Sequence, residues 1–192
     1  MYLLQECLYL HEKFYPQYMN KAPIIGIVRH RIPIDGDGVT TLVAFSHCPL
    51  RCVYCLNAQC EDPKAVKFNI TPQELVDKVA IDNLYFLATG GGVTFGGGEP
   101  AIRSEYIADF KSVANEGWKI NIETSLNVDQ RHIERLLPIV DQWIIDIKDM
   151  HSDIYEKYTS LNNVRVLDNL KYLGLNITED NNFGKLVKEI FL

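Results

Sequence analysis

The chain has 192 residues, of which 47% are hydrophobic and 23% charged. That is the size of one domain and the balance of a globular protein, so intrinsic disorder is excluded as the main state. Acidic side chains outnumber basic ones by 25 to 19, and the resulting net charge of −6 argues against a broad nucleic-acid-binding face.

In chain order, residues 1–40 read as a helix, a strand over residues 24–31 and the turn Asp35-Gly36-Asp37-Gly38, together a cap on the end or edge of a barrel. The first stretch carries Glu6, His11 and Glu12 and lacks a signal-peptide pattern. No apolar run approaches the roughly 20 residues of a membrane span, so a cytoplasmic protein that engages neither membrane nor nucleic acid is expected. Residues 41–45 form the next strand. Thr71, Pro72 and Glu74 carry the signature of a helix start, and Leu75, Val76, Val79, Ala80, Leu84 and Leu87 continue at helical spacing.

Further strands are expected over residues 92–95, 119–124 and 142–148, alternating with helices over residues 104–116, 129–137 and 164–173. A short fifth strand over residues 175–178 and a last helix marked by Phe183, Leu186, Val187 and Ile190 complete the pattern. Strands alternating with helices imply a parallel sheet, open or curled into a barrel. The α/β barrel portion then spans residues 41–192 and places the strands' C-terminal ends on one rim.

The sharpest signal is Cys48-Pro49-Leu50-Arg51-Cys52-Val53-Tyr54-Cys55, directly after the strand at residues 41–45. Three thiolates on one loop suit an iron–sulfur cluster, and they leave one iron of a four-iron cube open. A structural zinc knot closed by Cys60 is the competing reading. Strand alternation puts Trp143, Ile145 and Ile147 on one face and Ile144, Asp146 and Lys148 on the other, with Asn121, Glu123 and Ser125 likewise opposite Ile120 and Ile122. Charges aimed into a barrel must pair or bind a ligand. Lys148 is therefore either paired with Asp146 or Glu123 or committed to a ligand.

The CxxxCxxC loop resembles the radical S-adenosylmethionine (SAM) superfamily, and the surrounding motifs resemble its glycyl-radical-enzyme activating enzymes, the pyruvate formate-lyase activating enzyme among them. The turn Asp35-Gly36-Asp37-Gly38 stands where these have a DGPG-like turn. Asn57 matches their CxN, Val93 to Pro100 their VTFSGGEP, Glu123-Thr124 their acidic-Thr pair, and Asp146-Ile147-Lys148 their DxK. The resemblance implies a partial (β/α) barrel, here shorter than the usual six units. It implies a [4Fe-4S] cluster on Cys48, Cys52 and Cys55. It also implies a SAM site drawn from Tyr54, Asn57, Gly97, Gly98, Glu99, Glu123, Ser125, Asp146 and Lys148. His47, where the family commonly has Gly, either tunes the cluster or packs the loop.

The implied function is reductive cleavage of SAM to a 5′-deoxyadenosyl radical that takes hydrogen from a glycine of a partner glycyl radical enzyme. A flavodoxin- or ferredoxin-type protein is the implied electron donor. No residue beyond the cluster and cofactor need act as a catalyst. Two alternatives stand beside this reading: a radical SAM enzyme acting on a small molecule or peptide, and a truncated, non-catalytic metal-binding module.

Overall fold

The computed structural model describes residues 20–32 and 34–176. Cys7, the expected N-terminal helix and the expected last helix lie outside the described residues. The strands are β1 (Ala22–Arg31), β2 (Thr40–Phe45), β3 (Phe68–Ile70), β4 (Gly92–Gly97), β5 (Lys119–Thr124) and β6 (Gln142–Ile145). They form one open sheet in the order β3-β1-β2-β4-β5-β6. β2, β4, β5 and β6 run parallel, whereas β1 is antiparallel to both β2 and β3. The α/β partial barrel expected from the sequence is therefore present, and β1 extends its sheet.

The helices are α1 (Pro72–Val79), α2 (Asn83–Thr89), α3 (Ser104–Val113), α4 (Gln130–Leu136), α5 (Ser152–Thr159) and α6 (Val164–Asn176). Thr71 caps α1 in a full capping box with Glu74. Alternate residues of the parallel strands (Val43, Phe45, Val93, Phe95, Ile120, Ile122, Trp143, Ile145) face the helices and join Leu75, Ile107, Phe110, Ile133 and Leu136 in one core. At its centre Phe95 lies flat against Phe45 with centroids 5.5 Å apart, and Phe110 meets Phe95 edge-on at 5.3 Å.

The opposite face of the parallel strands carries the polar side chains. The turn after β1 closes the lower end of this face. The Asp35 carbonyl accepts from Thr94 Oγ1 and, at 3.4 Å, from Asn121 Nδ2. The Asp37 N–H donates to Gln142 Oε1 at 3.0 Å, and the buried Asp35 carboxylate pairs with Arg31, Nη2 to Oδ1 at 3.0 Å.

Several boundaries differ from the sequence reading. The single helix expected from Thr71 through Leu87 breaks at a 3₁₀ turn, Ala80–Asp82. The break delivers the fully buried Asp82 to Arg29 Nε (2.8 Å), Thr41 Oγ1 (2.8 Å) and His30 Nε2 (3.0 Å), an anchor worth more than a regular helix axis. Leu84 and Leu87 are exposed as a result. β6 is shorter than expected, although Asp146 N–H still donates to the Thr124 carbonyl at 3.0 Å. α6 runs through Gly174 to Asn176, so residues 175 and 176 are helical rather than a fifth strand, and Ile177 and Thr178 lie outside the described residues. Among the described residues, no helix is long and apolar enough to cross a membrane.

Replacing Phe95 by Ala removes the ring that two others pack on. It is expected to cost about 3–5 kcal/mol of unfolding free energy, measured by urea denaturation. A loss below about 1 kcal/mol would contradict the assignment of Phe95 to the packed centre.

Candidate functional site

The loop after β2 carries the three motif cysteines at the strands' C-terminal rim. Cys48 and Cys52 are half-buried, Cys55 is exposed, and all are free thiols. Burial and the nearby Glu99 charge push the Cys48 thiol up to about 12, and burial also raises Cys52, where the Lys148 cation opposes it. The loop hangs on α5. Arg51 N–H donates to the Thr159 carbonyl at 2.9 Å and Val53 N–H to the Tyr158 carbonyl at 3.0 Å, which fills acceptors left open at the helix end. Tyr54 packs on Tyr158 with ring centroids 5.8 Å apart. Asn57 starts the 3₁₀ turn Ala58–Glu61, its carbonyl accepting from Cys60 N–H at 2.8 Å.

His47 has φ +76, the left-handed region that favours glycine, which accounts for glycine being usual there in the resembled family. Its main chain is fully used: N–H to the Cys60 carbonyl at 2.8 Å, and carbonyl from Glu99 N–H at 2.9 Å. Its imidazole is 56% exposed, with Nδ1 3.8 Å from Glu61 Oε1. Glu61 is a functional candidate that the sequence reading missed. It accepts from Cys48 N–H at 2.7 Å and pairs with Arg51 Nη2 at 2.9 Å, so one carboxylate braces both sides of the cysteine loop. Spacing gives no clue to it; only a charge in the turn after the third cysteine hints at a brace.

The glycine turn after β4 packs directly on this loop. Gly97 has φ +92, and a Cβ there would meet Ala44 Cβ at 2.7 Å. A Cβ on Gly98 would meet the His47 carbonyl oxygen at 2.2 Å. The sequence reading treats these glycines as bare backbone for a ligand; the sides a Cβ would occupy are filled by β2 and its loop. Glu99 is 1% exposed. Its Oε1 accepts from Ala101 N–H (3.0 Å) and Thr124 Oγ1 (2.7 Å), and its Oε2 from Ser125 N–H (2.9 Å) and Ser125 Oγ (2.7 Å). Burial raises its pKa against those four bonds. Glu99 and Ser125 thus serve each other, tying the end of β4 to the end of β5.

The remaining expected residues line the polar face. Lys148 is ion-paired with Asp146. Burial acts to lower the Lys148 pKa, and the Asp146 partner more than offsets it, so the net shift is upward. Lys148 Nζ also stands 5.8 Å from the centre of the Tyr54 ring. Glu123 lies below the pair and faces Gly96. Burial, with the Asp35 charge next, raises its carboxyl to about 7.

The donor chemistry fits an iron–sulfur cluster: three free, adjacent thiols at an open rim, with a lysine ammonium close enough to Cys52 to oppose the effect of its burial. Among the described residues, no three His, Cys, Asp or Glu side chains converge as ligands of a single metal ion must. Cys60, the fourth ligand in the zinc reading, is buried beside Ile25 and Ala44, with Cys48 packed against that group.

Residues 42–181 match the Radical SAM superfamily. The chain is 32% identical over 144 residues to the pyruvate formate-lyase 1-activating enzyme of Escherichia coli (strain K12), a match covering 73% of this chain and 58% of that protein. It is 36% identical over 124 residues to the (2S)-3-sulfopropanediol dehydratase activating enzyme of Klebsiella oxytoca, covering 62% of this chain and 39% of that one. The chain thus spans about half the length of these curated relatives. Among solved structures, Streptococcus suis SuiB bound to its precursor peptide SuiA superposes with a TM-score of 0.56 at 16% identity, covering 70% of this chain and 30% of that one, a likeness of fold.

Two measurements test the local assignments. Glu61→Ala is expected to speed amide exchange at Cys48 by about tenfold, the effect of losing one charge-assisted hydrogen bond; unchanged exchange would remove Glu61 as the brace. Glu123 has a folded pKa of about 7 against an ordinary 4.5, so it binds its proton more tightly when folded. Its contribution is full below the unfolded value and is lost as pH rises through 7, up to about 3 kcal/mol. Urea unfolding between pH 5 and 8 should show that fall in the unaltered protein and a flatter profile in Glu123→Gln.

Proposed function

Because the chain belongs to the radical SAM superfamily, we propose that it is a glycyl-radical-enzyme activating enzyme of the cytoplasm. When bound, a [4Fe-4S] cluster and SAM supply one-electron reduction and radical abstraction of hydrogen. Cys48, Cys52 and Cys55 hold three irons. Lys148, held by Asp146, would offer its remaining N–H groups to the carboxylate of SAM's methionine portion, and Glu123 would orient that lysine or a ribose hydroxyl. The backbone of Gly97 and Gly98 faces the amino end, with Glu99 and Ser125 fixing the turn that presents it. Tyr54 and Asn57 border the adenine. The polypeptide moves no proton by general acid or base; its part is to bind, orient and keep water from the reacting atoms.

The observation that carries this reading is the meeting of two distant motifs at one rim. The Cys52–Tyr54 segment and the Asp146–Lys148 pair are brought together although nearly a hundred residues separate them, with Lys148 Nζ 5.8 Å from the Tyr54 ring. A sulfur-bound cluster and a cation for an amino-acid carboxylate then lie side by side. Activating enzymes 32% and 36% identical to this chain support the choice of a glycyl radical enzyme as substrate. A flavodoxin- or ferredoxin-type protein is the proposed electron donor.

Anaerobic reconstitution tests the proposal. The expected outcome is on the order of four irons per chain, a reduced-cluster electron paramagnetic resonance signal that changes on adding SAM, and a glycyl radical signal when a glycyl radical enzyme is present. Cleavage of SAM without a glycyl radical would move the substrate to another class. Cys52→Ala should lose the cluster signal and at least about a hundredfold in SAM cleavage, the loss typical when a cofactor's ligand shell is broken. Cleavage at the unaltered rate in that variant would remove Cys52 from the ligand set.

A further inference from the structure

A second polar site lies on the helix-covered side of the sheet, away from the face that carries Glu123 and Lys148. Lys21, Arg103, Ser104, Tyr106, Arg131 and Arg135 line a cavity of about 420 Å³ between the start of β1, α3 and α4. We propose that this cavity binds a phosphate group, either as inorganic phosphate or as the monoester of a small metabolite.

Charge is the first argument. In a chain of net charge −6, four permanent cations meet here. Four carboxylates face them: Glu105, itself in the lining, pairs with Arg135 Nη2 at 3.2 Å, Asp129 stands 3.8 Å from Arg131 Nε, Asp109 acts on Arg135, and Glu74, already bonded in its capping box, acts on Lys21 and Tyr106. Three guanidinium groups around one concavity are the donor set that matches tetrahedral oxyanions in forked pairs. The volume falls within the range of roughly 300–1,000 Å³ that holds small ligands.

Unfilled hydrogen-bonding capacity is the second. Among the described residues, three buried side-chain polar atoms lack a partner: Thr40 Oγ1, Arg103 Nε and Tyr106 Oη. Two of them belong to the lining of this one cavity. Tyr106 is only 2% exposed, and its ring is held edge-on to Phe45 at 5.6 Å, so the hydroxyl sits on a rigid base. Buried donors without acceptors are rare in native proteins, and an oxyanion supplies the acceptors. The site is also braced. Ser104 Oγ lies 2.9 Å from His132 Nδ1 and accepts from Arg135 Nη1 at 3.1 Å, joining α3 to α4 behind the cavity.

Isothermal titration of the full chain at constant ionic strength tests the proposal, with inorganic phosphate, ribose 5-phosphate and unphosphorylated ribose as probes and chloride as the balancing anion. Saturable binding of the two phosphorylated probes and none of ribose is expected. Tighter binding of ribose 5-phosphate assigns the site to monoesters; equal binding assigns it to phosphate itself. Arg131→Gln should weaken binding about tenfold, and its side chain is 72% exposed, so the fold is undisturbed. Tyr106→Phe, which keeps the ring, should weaken it about threefold or more with unchanged thermal unfolding. Lys171→Gln, on the exposed surface of α6, should have no effect. Absence of saturable binding, or equal affinity in the unaltered protein and in both Arg131→Gln and Tyr106→Phe, overturns the proposal.

Discussion

A carboxylate removed from water must have its lone pairs filled, and Glu99, 1% exposed, meets that demand with four donors from Ala101, Thr124 and Ser125. Everything at the rim is registered against this group. Its own N–H holds the His47 carbonyl at 2.9 Å, which sets the start of the cysteine loop. Its side chain fixes the residues that leave β5. Three strand ends are thus tied at one residue, through bonds inside a region of low dielectric, where such bonds are strongest.

The same requirement orders the polar face below. Arg31 and Asp35 pair at the lower end, Asp146 and Lys148 at the rim, and Glu123 lies between them without a cation of its own. Its raised carboxyl pKa is the consequence: burial and the Asp35 charge outweigh the pull of Arg31 and Lys148. A face carrying so many charges on a sheet of apolar strands is an expensive design unless something charged is to be received there. The turn after β1 makes that face a closed-bottomed recess by supplying the Asp35 carbonyl to Thr94 and Asn121.

Much of this was legible in the residues alone, for a physical reason in each case. The parallel strands announce themselves because one face must be apolar, so Trp143, Ile145 and Ile147 place Asp146 and Lys148 without any structure. The cysteine spacing is readable because sulfur ligands on one short loop have few other uses. What was hidden depends on contacts distant in sequence. The break at Ala80–Asp82 is forced by partners at Arg29, His30 and Thr41. That Ala44 and His47 also require glycine at 97 and 98 shows only in the packing. Glu61 and the end of α5 brace the cysteine loop through backbone N–H groups, which leave no trace in side-chain pattern.

The two halves of the site consequently differ in how firmly they are built. Glu99, Thr124 and Ser125 stand at the ends of β4 and β5, central strands paired on both sides and packed on the aromatic core. The cysteine loop is fastened by a few bonds, to Glu61 and to the carbonyls of Tyr158 and Thr159, and it exposes Val53, Tyr54 and Leu56 to solvent. Few buried contacts and several exposed main-chain bonds define a segment that opens locally at low cost. On the proposed function, Cys48, Cys52 and Cys55 would hold a cluster from the more easily opened half of the site, beside strand ends that stay in place.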